Sequence, residues 1–445
     1  MSSPSSRTEL STAEPGSHVT PARARRVAIA GAIGTFVEYY DFTAYGLMAV
    51  TLSAVFFPTQ DQTAALLSTL AVFAAAFVLR PLGGIVMGHL GDRYGRKPVL
   101  AWAVIGMAVS SSLIGLLPGY ATAGVAATVA LVLLRALQGL SAGGEIGGAA
   151  TYVAEWSPDG RRGLLCSSTQ LGNLLGVLFG SVLIAVLNVT MTSDAMQAWG
   201  WRIPFLISLP LGLIGLYVRR RLDETPEFER LRQQSAVPVK QRSPVLTAIL
   251  HNWRGVARVG GFSVGSFAAY YVVYVYGSTF LEQEAGLSAT AASWCSTGTL
   301  ALAAATVMLW GGLSDRVGRK PVLLGAFLAM ALFAYPSFAL MSSGSTVLGF
   351  AGLALLGLCE AAVMGTILST YTELFGTRSR FTGFSLGYNL GSILTGGTAP
   401  YIATWLIGTT GDARAPGIFL VVAALVSVGT ALTLRETAQR PLTKD

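Results

Sequence analysis

The sequence predicts an all-α membrane protein with twelve transmembrane helices arranged as two pseudo-symmetric six-helix halves. Three observations predict this class. Only 12% of the residues are charged and 52% are hydrophobic, whereas a soluble domain carries about 25% charged residues. Glycine, which is more frequent in membrane helices than in soluble ones, accounts for 52 of the 445 residues. A motif from the first half of the chain also recurs in the second half.

Twelve predominantly apolar segments are each long enough to cross a bilayer, which takes about 20 residues. They lie near residues 27–57, 63–90, 98–118, 123–154, 163–189, 201–219, 256–281, 289–313, 321–342, 346–372, 381–407 and 414–434. The predicted organisation is a disordered tail (1–22), a first six-helix half (23–219), a central loop (220–255), a second six-helix half (256–434) and a C-terminal tail (435–445). Within the central loop, Thr225 followed by Pro226 is typical of a helix start, so we expect a short helix there.

Basic residues indicate the orientation of the chain. Nearly all of the 30 lysines and arginines lie in the two tails, the central loop and alternate short loops, while the opposite loops hold mainly acidic residues. Because cytoplasmic loops are enriched in Lys and Arg, both termini are predicted to be cytoplasmic in a multi-pass protein of the cell membrane. The net charge of +8 therefore reflects topology in a lipid bilayer, and nucleic acid is not expected as a partner.

The internal repeat joins the two halves. Residues Gly88–Leu100 read Gly-His-Leu-Gly-Asp-Arg-Tyr-Gly-Arg-Lys-Pro-Val-Leu, and Gly311–Leu323 read Gly-Gly-Leu-Ser-Asp-Arg-Val-Gly-Arg-Lys-Pro-Val-Leu. The two copies fall between spans 2 and 3 and between spans 8 and 9. Two parallel six-helix halves with a long central loop are the plan of the major facilitator fold.

The first copy of the repeat resembles the loop motif of the major facilitator superfamily. Further stretches are similar to its metabolite–proton symporter family, which includes proline/betaine, citrate, shikimate and 2-oxoglutarate permeases. These stretches are Glu38–Phe42, Arg80–Gly84, Arg135–Gly139 with Gly143–Glu145, Trp199–Phe205, Glu224–Phe228 and Gly387–Asn389. The resemblance implies a secondary transporter that works by alternating access.

Ionisable groups inside membrane spans are functional candidates because they are costly to bury. Asp41 lies about 22 Å of helix beyond Arg26, near the middle of the membrane, and Arg135 lies at a comparable depth in span 4. The predicted element is a direct Asp41–Arg135 pair that protonation of Asp41 would release, and the resemblance to sugar–proton symporters implies the same roles. The alternative is a structural ion pair between spans 1 and 4. Glu38, on the same helix face as Asp41, is a second proton-coupling candidate.

Glu145 completes the proton-coupling candidates. It follows Arg135 by ten residues and is expected to line the same cavity edge, or to lie within a close glycine-rich helix crossing.

Arginines suit substrates that carry a carboxylate, because the guanidinium fork matches that group. This geometry favours a carboxylate partner for Arg80, and the resemblance to carboxylate-transporting members implies that Arg80 and Arg202 are substrate ligands. The alternatives are pairing of Arg80 to a helix terminus and an interfacial anchor at Arg202. The uncharged candidates for the binding cavity are Tyr45, Gln170, Asn173, Tyr274 and Asn389. Of these, Tyr274 is a candidate for cation–π contact with an ammonium group, or for an interfacial aromatic belt.

The repeated loops and their charge partners are predicted to form a cytoplasmic gate that closes and opens with the transport cycle. The alternative is that these charges only set topology, which leaves the repeated Asp unexplained. The gating candidates are Asp92, Arg93, Arg96, Lys97, Glu155, Arg161, Arg162, Asp315, Arg316, Arg319, Lys320, Glu373 and Arg378.

The predicted function is proton-coupled symport of a small carboxylate or zwitterionic metabolite, by a chain that works as a monomer. Two alternatives stay open, an efflux antiporter and a non-transporting membrane sensor. An enzyme is not expected, because the sequence shows no nucleophile–base set. The isolated cysteines and histidines do not form a metal or cofactor site.

Overall fold

The computed structural model describes residues 20–58, 61–221, 223–225, 229, 252–377 and 379–442, and over these ranges the chain folds into helices and turns. The tail at 1–19, Arg378 and most of the central loop, including the short helix predicted there, lie outside the described residues.

The described helices form twelve spans. In the first half, the spans are Pro21–Leu47 continued by Ala49–Phe56, Gln62–Tyr94, Arg96–Leu116, Val125–Ala142 continued by Glu145–Glu155, Arg162–Thr190, and Arg202–Arg220. In the second half, they are Trp253–Tyr270 continued by a π-helical turn and Gly277–Gln283, Ala289–Val317, Arg319–Met341, Thr346–Glu373, Arg380–Gly391 continued by a π-helical turn and Ala399–Thr410, and Ala415–Thr433. The predicted span ends agree with these bounds to within a few residues, although span 1 begins at Pro21 and is interrupted at Met48.

Ten of the spans are long and apolar enough to cross a membrane as continuous stretches of the described chain. The other two are spans 1 and 11. Span 1 carries Glu38 and Asp41 near its centre, and span 11 is divided by the π-helical turn Ser392–Gly396. Spans 1 and 11 are thus polar or interrupted along their length, and span 7 also contains a π-helical turn, Tyr271–Tyr276.

Glycine allows the helices of the first half to cross closely. A Cβ atom at Gly143 of span 4 would collide with the backbone of Arg80 in span 2, and one at Gly172 of span 5 would collide with the backbone of Ala32 in span 1. Close approach at small residues is a common way to pack helices in a bilayer.

The repeat is visible in the backbone as well as in the sequence. Gly95 and Gly318, at the same place in the two copies, both have φ of 110°, a conformation open to glycine and unfavourable for other residues. Each glycine ends one span and starts the next. We call the end of the bundle that holds these two loops the basic end.

The two halves pack against each other through span 2 on span 11 and span 5 on span 8. Spans 1, 5, 7, 10 and 11 surround the centre of the molecule. This arrangement places residues of both halves around one central cavity, with the repeated loops below it at the basic end.

Candidate functional site

Glu38 and Arg80 form an ion pair between spans 1 and 2, and both side chains are almost fully buried. The Arg80 guanidinium also lies 4.6 Å from the centre of the Phe42 ring and 5.2 Å from that of Phe77. Glu38 Oε2 and Arg80 Nε have no hydrogen-bond partner among the described residues. Arg80, predicted as a substrate ligand, is therefore held by a carboxylate of the protein with part of its hydrogen-bonding capacity unused.

Asp41 is held by hydroxyl groups. Ser111 of span 3 donates to its Oδ2 at 2.7 Å, and Ser208 of span 6 donates to its Oδ1. Asp41 is 2% exposed and makes no ion pair within the described part of the chain. Burying a carboxylate without a cation beside it is costly. The hydroxyls of Ser111 and Ser208 supply the direct polar contacts that offset part of this cost.

The predicted direct pair between Asp41 and Arg135 is wrong. Arg135 Nη1 donates to Gln138 Oε1 at 2.7 Å, Gln138 donates to Ser111, and Ser111 donates to Asp41. The helical spacing placed the two charges at the right depth, but the packing of span 3 inserts a glutamine–serine relay between them. Asp41 and Arg135 are therefore connected through hydrogen bonds of Ser111 and Gln138.

Arg135 is supported by an aromatic ring. Its guanidinium lies 4.1 Å from the centre of the Tyr45 ring, and the Tyr45 hydroxyl donates to the Thr69 carbonyl at 3.3 Å. Such cation–π contacts stabilise a desolvated guanidinium. Tyr45, predicted as a substrate contact, thus packs against Arg135 and does not line the central cavity.

The central cavity has a volume of about 20 Å³, which holds about one water molecule. It lies between the halves, and two predicted residues, Gln170 and Asn173, line it. The other lining residues are Tyr39, Ser263, Ser266, Phe267, Tyr270, Glu360, Met364, Ile367, Tyr371 and Tyr388. A metabolite needs more room, so binding requires the two halves or the rings to move apart.

Tyrosine hydroxyls connect the halves across this cavity. Tyr270 of span 7 donates to Asn173 Oδ1 of span 5 at 3.0 Å, and the hydroxyls of Tyr39 in span 1 and Tyr388 in span 11 lie 3.4 Å apart. The sequence did not single out Tyr39 or Tyr388 as cavity residues. What could have indicated them is their position in the sequence, because Tyr39 follows the proton-coupling candidate Glu38 and Tyr388 precedes the cavity candidate Asn389.

Glu360 lies at the middle of span 10 and lines the cavity with its side chain fully buried. Ser266 of span 7 donates to its Oε1 at 2.7 Å. No role was predicted for Glu360 from the sequence. Its charge at the centre of a 28-residue apolar helix was the available signal.

Two predicted site residues lie away from the cavity. Arg202 donates to the Leu117 carbonyl at 3.0 Å and packs 4.3 Å from the Trp201 ring centre, at the end of the bundle opposite the basic end. The structure therefore does not place Arg202 at the central cavity, where a substrate ligand was predicted, and an interfacial anchor stays the alternative for it. Glu145 pairs with Arg219 of span 6, and so does not share a cavity edge with Arg135.

The remaining two predicted cavity residues bond to backbone. Tyr274 donates to the Gly357 carbonyl at 2.7 Å, which ties span 7 to span 10. Asn389 donates to the Gly143 carbonyl at 2.9 Å, which ties span 11 to span 4 across the two halves. Tyr274 does stack edge to face on the cavity residue Tyr270, with ring centres 5.5 Å apart.

The first copy of the repeat forms a charged cluster at the basic end. Arg96 contacts Asp92 at 2.7 Å and Glu155 at 3.3 Å. Arg380 of the second half contacts the same Glu155 oxygen at 2.7 Å, and the backbone N–H of Thr382 donates to Asp92 Oδ2 at 3.0 Å. The cluster therefore joins spans 2, 3 and 4 to the start of span 11.

The second copy forms the matching cluster. Arg319 contacts Asp315 at 2.8 Å and Glu373 at 3.2 Å. Arg162 of the first half lies 3.7 Å from Glu373, and the backbone N–H of Gly163 donates to Asp315 Oδ1 at 2.8 Å. Each cluster thus holds the first residues of a span from the other half, which closes the basic end.

Other predicted gating residues play smaller parts in this geometry. The backbone N–H groups of Lys97 and Lys320 donate to Glu224 and Glu436, at the edges of the first and second cluster. Arg93, Arg161 and Arg316 are exposed and make no ion pair among the described residues.

Two glutamates outside the spans, for which no gating role was predicted, complete the clusters. Glu224 accepts the Arg96 backbone N–H at 3.0 Å, and Glu436 accepts the Arg319 backbone N–H at 2.9 Å. Thr437 donates to Glu373 at 2.6 Å. Burial raises the pKa of Glu436, but backbone N–H groups outweigh it, and the net pKa lies below its usual value. Each glutamate thereby caps the first turn of a span.

Comparisons with known proteins agree with this architecture. The family model described as sugar (and other) transporter matches residues 27–444. The glycine betaine/proline/ectoine/pipecolic acid transporter OusA of Dickeya dadantii is 36% identical over 94% of this chain and 85% of that protein. The ectoine/proline transporter ProP of Corynebacterium glutamicum is 36% identical over 96% of this chain and 87% of that protein.

Solved structures share the fold. The proton:xylose symporter XylE bound to 6-bromo-6-deoxy-D-glucose superposes with a TM-score of 0.80 at 16% identity, covering 95% of this chain and 98% of that one. The human organic anion transporter MFSD10 superposes with a TM-score of 0.67 at 18% identity, covering 92% and 99% of the two chains.

Proposed function

Since this chain belongs to the sugar (and other) transporter family of the major facilitator superfamily, we propose that it imports a small zwitterionic metabolite together with protons. It is a multi-pass membrane transporter and not an enzyme. To this transporter function, the proposal adds the class of the substrate, its coupling to protons and the inward direction of transport.

One observation carries the proposal: Glu38 and Arg80 form a buried ion pair, and Tyr39, the residue after Glu38, lines the central cavity. A guanidinium binds a substrate carboxylate as readily as it binds a glutamate. A substrate carboxylate and Glu38 therefore compete for Arg80. A proton on Glu38 removes its negative charge and frees Arg80, so proton and substrate each favour binding of the other.

Asp41 supplies a second proton-sensitive point. When it is ionised, its charge is balanced through Ser111 and Gln138 by Arg135. When it is protonated, the buried charge disappears and the relay holding spans 1, 3 and 4 together weakens. This gives the two-state element that alternating access requires.

The relatives support a zwitterionic substrate. OusA and ProP are named for glycine betaine, proline, ectoine and pipecolic acid, which are small molecules with a positive and a negative group. The Glu360 carboxylate lines the cavity together with aromatic rings, and the Arg80 guanidinium is paired with Glu38, the residue before the cavity residue Tyr39. A zwitterion matches this charge distribution better than a dicarboxylate does.

The positive-inside rule supports placing the basic end and both termini in the cytoplasm. The structure, closed at the basic end, then represents a state closed toward the cytoplasm. Opening the two charged clusters would release the substrate into the cell. Each monomer contains the complete set of proposed groups.

Uptake by proteoliposomes tests the proposal. Glycine betaine, proline, ectoine, shikimate and citrate are offered with and without an inside-alkaline pH gradient. The expected result is accumulation of a zwitterion driven by the gradient and lost in Asp41→Asn, with counterflow exchange retained. Accumulation driven only by an opposite gradient would identify an efflux antiporter, and binding without flux would identify a sensor.

A further inference from the structure

Glu360 is a buried carboxylate that the proposed proton-coupling steps do not use. It lies in span 10 about 20 Å of helix from Glu373 at the basic end, and its side chain is 0% exposed. It lines the central cavity from the second half, opposite Gln170 and Asn173 of the first half. A charged group at this depth calls for a partner.

One oxygen of Glu360 lacks that partner. Ser266 donates to Oε1 at 2.7 Å, whereas Oε2 has no hydrogen-bond partner among the described residues. No arginine or lysine forms an ion pair with Glu360 within the same residues. The carboxylate therefore presents an unused acceptor at the cavity.

Several other polar groups of the cavity are hydrogen-bonded to one another. Tyr270 donates to Asn173, and the amide of Asn173 donates to Gln170 at 3.3 Å. The hydroxyls of Tyr371 and Ser263 lie 2.8 Å apart. Within the described lining, the acceptor left open for a ligand is therefore the Glu360 carboxylate.

We propose that Glu360 is the binding residue for the cationic group of the substrate, and that this group is an ammonium carrying N–H. The inference deepens the proposed function and rests on it for the zwitterion. An N–H group would donate to the open Oε2 and bring the positive charge that the buried carboxylate lacks. The rings of Tyr270, Tyr371 and Tyr388 surround the same space and favour a cation through their faces.

This chemistry ranks substrates by their charged group. A dicarboxylate would place a negative charge beside Glu360 and is disfavoured. A quaternary ammonium supplies charge but no N–H, so Oε2 stays unsatisfied, and an unsatisfied buried acceptor weakens binding about tenfold or more. A secondary or primary ammonium satisfies both requirements.

A matched ligand series tests the inference: proline, N-methylproline and N,N-dimethylproline share the ring and the carboxylate but carry two, one and no N–H groups. Equilibrium binding of each is measured to the purified full chain in lipid nanodiscs, without any gradient. Wild-type protein should bind proline at least about tenfold more tightly than N,N-dimethylproline. In Glu360→Gln, proline binding should fall about tenfold and the two affinities should differ less than about threefold.

Two further variants give the experiment its controls. Glu360→Asp keeps the charge and should keep the preference for N–H, even at lower affinity. Cys359→Ser changes the neighbouring residue, which does not line the cavity, and should bind like wild type.

Three outcomes would overturn the inference. The first is wild-type protein that binds N,N-dimethylproline as tightly as proline, and the second is a Glu360→Gln variant that keeps the wild-type preference. The third is a Glu360→Gln variant that binds all three ligands normally but loses gradient-driven accumulation, which would make Glu360 a proton carrier. Because binding is measured without a gradient, N–H selectivity without proton-driven uptake would support this inference and refute the coupling mechanism.

Discussion

Arg380 Nη1 lies 2.7 Å from Glu155 Oε1, and this contact joins the second half of the molecule to the first with both side chains fully buried. The pseudo-equivalent pair, Arg162 and Glu373, is longer at 3.7 Å. The two clusters at the basic end are therefore alike in composition but unequal in their contacts between the halves. The Arg380–Glu155 pair is the tighter latch.

Replacing Arg380 should open the basic end. Arg380→Gln leaves Glu155 with one fewer cation, and breaking a buried pair costs about 3–5 kcal/mol, so the closed state loses much of its advantage. Cys166, fully buried in span 5 near Arg319 and Glu373, reports this opening. In a Cys295→Ser, Cys359→Ser background, its maleimide labelling should become at least about tenfold faster.

The control is the exposed pair Arg414–Asp412 between spans 11 and 12. Arg414→Gln should leave Cys166 labelling unchanged, because exposed pairs contribute little. Equal labelling in Arg380→Gln and wild type would show that the pair does not hold the gate.

The relay between Asp41 and Arg135 makes a second prediction. Ser111→Ala removes the hydroxyl that joins Asp41 to Gln138, and a hydrogen bond to a charged group is worth about 1.5–3 kcal/mol. Gradient-driven accumulation should fall about tenfold while exchange without a gradient persists.

Ser112 provides the matched control for Ser111. It is the next residue and buried, but its hydroxyl donates only to the Ala108 carbonyl of its own helix. Ser112→Ala should keep near-normal accumulation in proteoliposomes. Equal losses in the two variants would refute the relay.

A third prediction concerns competition for Arg80. Glu38→Gln removes the carboxylate that holds Arg80, so substrate affinity should depend much less on pH, with only the contribution of Asp41 left. In wild type, affinity should rise as the pH falls, because protonation of Glu38 frees Arg80. The comparison is Glu145→Gln, which neutralises a carboxylate paired to Arg219 and should keep the pH dependence. Binding titrations at pH 5.5, 7 and 8.5 measure both variants, and a Glu38→Gln variant with the full wild-type pH dependence would contradict the mechanism.

Glu436 supports a fourth prediction, on stability. Backbone N–H groups hold its folded pKa below the usual value, so its stabilising contribution is present above the unfolded pKa of about 4.3 and is lost as the pH falls through the folded pKa. Glu436→Gln should cost about 1 kcal/mol at pH 6–8, as loss of a helix cap does, and the difference should shrink below about pH 4. Thermal unfolding in detergent measures it.

The exposed Glu282 is the control for that experiment. Glu282→Gln should unfold like wild type at every pH, and an equal effect of the two substitutions would show that Glu436 acts only through net charge.

The twelve spans followed from the sequence because apolar length and segregated basic residues specify a membrane helix almost by themselves. The repeat likewise predicted both charged clusters, since Asp92 and Asp315 stand at the same place in each copy. The break at Met48 and the π-helical turns did not follow, because neither leaves a pattern in composition.

Side-chain partners were harder to predict. Helical rise placed Asp41 and Arg135 at one depth, but the rotation of span 3 decides that Ser111 lies between them. Helix rotation also decides that Arg80 pairs with Glu38. It likewise decides that the face of span 10 with Glu360 meets the cavity. Depth follows from counting residues, whereas facing direction depends on the packing of all twelve helices.

The segment that follows span 12 has a practical use. Glu436 caps span 9 and Thr437 bonds to Glu373, so the few residues after the last helix are fastened directly to the gate. A fluorophore attached just behind Thr437 would change its surroundings each time the gate releases, and would turn the transporter into an optical reporter of its own turnover. An affinity tag placed equally close would disturb the contact between Thr437 and Glu373. The N-terminal side is therefore the better site for an affinity tag.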